Sequence, residues 1–98
     1  DRLYHTKASL ALANIEFQEK KITLQQAVDA IDSLRFAWRG DNLEVQILHN
    51  LGRLRIQNNQ YLSGLQDMRK AVKISEELLT DPEPIKKDMG LAFYDVFV

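Results

Sequence analysis

The chain has two histidines, His5 and His49, far apart in sequence, and no second histidine stands four residues from either, where two imidazoles on one helix face could share a metal ion. Asp29 and Asp32 fall on one predicted helix, but nothing around them implies the apolar pocket that carboxyl acid–base chemistry requires. Glu76 and Glu77 read as a solvated face. There is no glycine-rich phosphate loop, nucleophile elbow or zinc pattern, so no cofactor, metal or catalytic set is implied. With no cysteine the chain makes no disulfide and suits a reducing or an oxidising compartment. Arg39-Gly40-Asp41 spells an integrin-binding tripeptide, yet between two helices Gly40 ends one and Asp41 caps the next. Arg53, Arg55, Arg69, Lys70 and Lys73 make the middle of the chain basic, and Glu76, Glu77, Asp81 and Glu83 follow as an acidic stretch. No aromatic residues interleave with these cations and the net charge is −1, so nucleic acid is not the expected partner. Trp38, beside Phe36, reads as a junction between helix pairs, with an exposed partner anchor as the alternative.

The elements that position these residues are helical. Five periodic segments with short breaks account for nearly the whole of the 98 residues, and no β-branched run alternates with period two. The first helix runs from Arg2 to about Lys20, with Tyr4, Ala8, Ala11 and Ile15 as its apolar stripe and Leu3, Leu10 and Phe17 widening it. Thr23 and Gln26 form a capping box for the second, which carries Ala27, Ile31 and Leu34 and runs to about Arg39. Asp41 and Glu44 make a second box, and Val45, Leu48 and Leu51 bury one side of the third helix up to Asn58-Asn59. The fourth begins near Tyr61 with Leu65, Met68, Val72 and Leu79 in one row, and Asp81-Pro82-Glu83-Pro84 ends it. Ile85, Met89, Phe93 and Val96 define the fifth. No stretch approaches the ~18 apolar residues of a membrane span, so no membrane insertion is expected. The chain opens at Asp1 and closes within the apolar run Phe93–Val98, which reads as a segment of a longer protein.

A weak internal repeat has a spacing of about 38 residues: Leu51-Gly52 is echoed by Met89-Gly90, and Leu24 to Ala27 by Tyr61 to Gly64. Leu48, Leu51, Gly52, Asn59, Tyr61, Gly64, Met68 and Ala71 stand in an order that resembles tetratricopeptide repeats. In the first pair Ala27 is in place and Asn14 or Ala13 stands for the glycine; the third repeat supplies Met89, Gly90 and Phe93. Arg55 departs from the pattern by replacing an aromatic, and Gly64 by replacing alanine, at about 1 kcal/mol of helix propensity.

The resemblance implies an all-α fold of antiparallel helix hairpins stacked as an α-solenoid: one domain over residues 1–98, pairs near 2–39 and 42–80, and an extra helix near 84–98. It also implies a groove lined by the first helix of each pair, which assigns Gln46, His49, Asn50, Arg53 and Gln57 to a groove-facing row able to hold a peptide backbone or carboxylate. A solvated face is the plainer reading of that row. Two functions follow as expectations. One is a non-catalytic scaffold module that binds a protein or peptide. The other is a self-assembly element that packs on neighbouring repeats, a second copy or a larger enzyme, with Phe93, Val96 and Phe97 on the last helix as its junction and a homodimer as one outcome.

Overall fold

The computed structural model describes residues 2–36 and 41–97, with side chains as far as Ala92 in the last helix. Its elements are α1 (Arg2–Gln18), α2 (Leu24–Leu34), α3 (Asn42–Gln57), α4 (Tyr61–Glu77) and α5 (Glu83–Phe97). No strand occurs among the described residues. Each helix packs on the next in chain order, most extensively α3 on α4, and α5 also touches α3. The radius of gyration is 13.1 Å.

Local chemistry sets the helix ends. Thr23 and Gln26 form the reciprocal box that starts α2. Asp41 caps α3, but its carboxylate accepts from the Leu43 amide, while Glu44 is buried. Helices α1, α3 and α4 stop in one way. Lys20, Asn59 and Leu79 take left-handed φ values of 61°, 63° and 59°. The amides of Lys21, Gln60 and Thr80 then reach back to the carbonyls of Glu16, Arg55 and Ser75. These are Schellman closures.

Three expectations about helix ends change. Leu79 is not in the apolar row of α4, because the helix has already closed at Glu77 and Leu79 is the exposed left-handed residue after it. The Ser75 and Thr80 hydroxyls, 2.6 Å apart, fasten that closure. The prolines therefore do not stop α4; Pro84 sits in the first turn of α5, where its missing N–H costs nothing. Helix α2 ends at Leu34, not near Arg39, with the Arg35 amide bonded to the Asp32 carbonyl. Trp38, Gly40 and most of the Arg39-Gly40-Asp41 tripeptide lie outside the described residues.

Among the described residues two apolar clusters form the interior. The first joins Leu10 and Ala13 of α1, Ala27, Val28 and Ile31 of α2, and Leu43, Ile47, Leu51 and Leu54 of α3. The second joins Val45 and Leu48 of α3 with Met68 and Ala71 of α4 and Ile85 of α5. Full burial of each large aliphatic side chain contributes roughly 1.5–3 kcal/mol. The expected stripe of α1 is overturned: its inward face is Thr6, Leu10 and Ala13, flanked by Leu3 and Phe17, while Tyr4, Ala8, Ala11 and Ile15 are exposed. Alanine-rich α1 is apolar on two sides, and only one of them meets α2.

Gly52 lies where α3 and α4 come closest. A Cβ built on it would stand 2.7 Å from the Gly64 carbonyl oxygen and from Met68 Cγ, and one on Gly64 would meet the Gly52 carbonyl oxygen at 2.7 Å. Each glycine thus makes room for the other helix's backbone. Gly90, its counterpart in α5, has nothing within 4 Å.

Candidate functional site

Helix α3 is buried on two sides, by the first cluster and by the second, which leaves one polar row for solvent. That row holds the five residues singled out in the sequence. Gln46, Arg53 and Gln57 are exposed; His49 and Asn50 are half-buried. The structure ties some of them together. The Asn50 side-chain amide donates to the Gln46 carbonyl at 2.8 Å, and an Arg53 guanidinium N–H donates to Asn50 Oδ1 at 2.8 Å. His49 Nε2 lies 2.5 Å from Asp88 Oδ2, which fastens α3 to α5. His49 is therefore an interhelix tie at one edge of the row.

Hollows flank the row on either side. Between α1 and α3, about 380 Å³ is lined by Asn14, Phe17, Gln18, Arg53, Leu54 and Gln57. Among α3, α4 and α5, about 150 Å³ is lined by Arg53, Ile56, Gln57, Met68, Asp88, Leu91 and Ala92. Arg53 and Gln57 belong to both, so the two hollows adjoin across this stretch of α3 as a furrow with both apolar and polar lining residues. Gln46 and Asn50 lie on the same helix beyond it. Asn14, Gln18, Asp88 and Leu91 did not emerge from the sequence as site residues. The repeat could have found them. Asn14 and Gln18 precede Arg53 and Gln57 by 39 residues, the interval that separates the turn residues Lys20 and Asn59. Asp88 and Leu91 follow Asn50 and Arg53 by 38, as Gly90 follows Gly52.

A larger hollow of about 500 Å³ is lined by Gln66, Arg69, Lys70, Lys73, Ile74 and Glu77. All six belong to α4, so it is a trough along the surface of one helix. Its cations are separated from the other two of the basic stretch. Arg53 faces the furrow, and Arg55 turns inward.

Arg55 joins an ion network that is buried at Asp67 and opens to solvent at Asp32, whose side chain is 38% exposed. Its guanidinium reaches Asp67 Oδ2 at 2.7 Å and Asp32 Oδ1 at 3.1 Å, while Arg35 stands 3.5 Å from a carboxylate oxygen of each. The Asp67 side chain is 6% exposed and that of Arg55 15%. The Arg55 Nε is buried without a hydrogen-bond acceptor. This network links α2, α3 and α4. Asp29 and Asp32 are not brought together: Asp29 accepts from Gln25, and Asp32 turns to the arginines.

Among the described residues no group of three His, Cys, Asp or Glu could hold a metal ion, and no helix is long and apolar enough to cross a membrane. The side chains of Phe93, Val96 and Phe97 lie outside those described. Models of known protein families, curated protein sequences and solved structures offer no match to this chain.

Proposed function

We propose that the chain is a non-catalytic binding module of stacked helix pairs, similar to tetratricopeptide repeats, which holds an extended peptide across α1, α3 and α5. The observation that carries this reading is the furrow itself, in which Arg53 and Gln57 line hollows on both sides of α3. An extended chain offers a backbone amide and carbonyl at every residue and alternates its side chains. Gln57, Asn14 and Gln18 supply matching donors and acceptors. Arg53 supplies a charge-assisted donor for a carboxylate. Phe17 and Leu54 on one side and Ile56, Met68 and Ala92 on the other supply apolar seats.

The test is selection from a phage library of random twelve-residue peptides on the immobilised chain, followed by fluorescence anisotropy of the selected sequences. Arg53 and Gln57 are exposed, so Arg53→Glu with Gln57→Glu should leave the melting temperature unchanged and weaken the selected peptides roughly tenfold or more, about 1.4 kcal/mol. Peptides that bind the double variant as well as the parent would place the binding surface elsewhere.

The second reading, an element that packs on neighbouring repeats, is supported by a different surface, the outer face of α1.

A further inference from the structure

The two fully described helix faces of α3 have counterparts on α1 and α5, position by position. Leu43, Ile47, Leu51 and Leu54 seat α3 on α1 and α2. Moving forward 38 residues, Leu43 falls on the exposed Asp81 just before α5, while Ile47, Leu51 and Leu54 fall on Ile85, Met89 and Ala92, buried or half-buried where α5 rests on the preceding pair. Moving back 39, the same positions are Tyr4, Ala8, Leu12 and Ile15. All four are exposed, with Tyr4 at 74%, Leu12 at 55% and Ile15 at 49%. The forward face behaves consistently. Val45, Leu48, Gly52 and Ile56 turn toward α4, and their counterparts Thr6, Ser9, Ala13 and Phe17 turn inward on α1.

We propose that the outer face of α1 is a junction that receives a helix pair of the kind α1 and α2 make, standing before α1 as α1 and α2 stand before α3. This rests on the repeat reading above. The other end of the molecule differs. In α5 the counterparts of Val45 and Leu48 are Glu83 and Lys86, both exposed and charged, so the first turns of its forward face are polar. The apolar invitation is at the α1 end. Its pattern is that of a seat for a helix pair, since two seats of the same spacing are already filled that way inside this chain.

The charge at the junction narrows the occupant. Arg55 of α3 reaches back to Asp32 of α2 at 3.1 Å. Its counterpart on α1, 39 residues earlier, is Glu16, half-buried. A pair docking there therefore carries a basic residue in the place of Asp32. Helix α4 has one in that place: aligned on Ala27 and Gly64, Asp32 falls on Arg69.

The test duplicates residues 1–39 immediately before Asp1 of the full chain, with Asp32→Arg in the added copy. The added residues should raise the helical signal in proportion to their length and unfold in one transition with the rest. Backbone amides of Ala8 to Ile15 in the original copy should exchange at least roughly tenfold more slowly than in the parent. Leu12→Glu with Ile15→Glu in the original copy should barely change the unextended chain, where both are exposed, and should abolish the protection in the extended one. An added pair that stays unfolded, melts separately or leaves exchange unchanged overturns the proposal. So does a parent chain that is already a dimer at micromolar concentration and is dissociated by Leu12→Glu, because the face would then take a second copy. Equal protection from added copies bearing Asp32 or Asp32→Arg removes Glu16 from the junction. Peptide binding that survives in the Arg53 and Gln57 furrow while docking fails leaves the binding module standing without the junction; loss of the furrow with docking intact does the reverse.

Discussion

Asp67 lies between Gly64, Met68 and Ala71 on the buried side of α4, where a carboxylate is unfavourable unless it is paired. Arg55 supplies the near partner and Arg35 a longer one, and Asp32 answers the second arm of Arg55. The Asp67–Arg55 pair is the enclosed part of the network; such a pair adds little net stability over an apolar replacement, yet removing one partner strands the other. Asp67→Ala should therefore cost about 3 kcal/mol, read from urea unfolding. Arg55→Met with Asp67→Leu should cost less than the two single changes together by about 1–3 kcal/mol. Additive losses would mean that the pair behaves as a surface ion pair. The sequence carried half of this. Arg55 was visible as the residue that breaks the repeat pattern, and Asp67 sits at helical spacing among buried small residues. Their meeting was not legible, because it depends on how far α3 and α4 are offset along each other. Thr23, Asp41 and Asn59 were legible, since a cap or a left-handed residue is decided within four positions of chain.

Helices present the opposite difficulty. Their existence follows from periodicity, but the face each one buries depends on a neighbour. Helix α1 shows this: alanine and leucine recur on two of its sides, and the stripe around Tyr4 and Ile15 was as periodic as the inward one at Leu10 and Ala13. Gly52 was readable because a glycine in mid-helix is unfavourable unless another backbone must come close. Its echo Gly90 shares the residue and lacks the neighbour. The two should respond oppositely to one methyl group. At Gly52 the added Cβ meets the Gly64 carbonyl oxygen at 2.7 Å, and a backbone atom gives way only if the helices move apart. Gly52→Ala should lower stability by about 1–2 kcal/mol even after its gain in helix propensity. Gly90→Ala, with open space around it, should raise stability by about 0.5–1 kcal/mol. Shifts of the melting temperature in opposite directions, near 4–8 °C per kcal/mol for a domain of this size, are the check. Matching shifts would mean that α5 is as closely covered as α3.

At the scale of the whole molecule, α3 is, among the described residues, the only helix that contributes buried side chains to both apolar clusters. Helices α1 and α2 reach the rest of the protein mainly through it, and α5 rests on the α3–α4 pair. Cooperativity therefore has a direction: opening an end can spare α3, whereas opening α3 dissolves both clusters at once. Helix α1 is a weak end, since among the described residues its outer face is exposed and α2 is its one extensive partner. The furrow depends on this order, because Arg53 and Gln57 stand on the firmest helix while Asn14 and Gln18 stand on a helix that opens more readily. A bound peptide spanning α1 and α3 would be expected to hold α1 closed. Native-state hydrogen exchange should find the slowest amides in α3 from Ile47 to Leu54 and in α4 near Met68 and Ala71. Those of α1 from Ala8 to Leu12 should open at lower free energy, with exchange at least roughly tenfold faster. A selected peptide at saturating concentration should slow the α1 amides more than those of α3, whose opening is already rare. Uniform exchange across α1 and α3, unchanged by peptide, would show that the molecule opens only as a whole and that the two walls of the furrow are equally rigid.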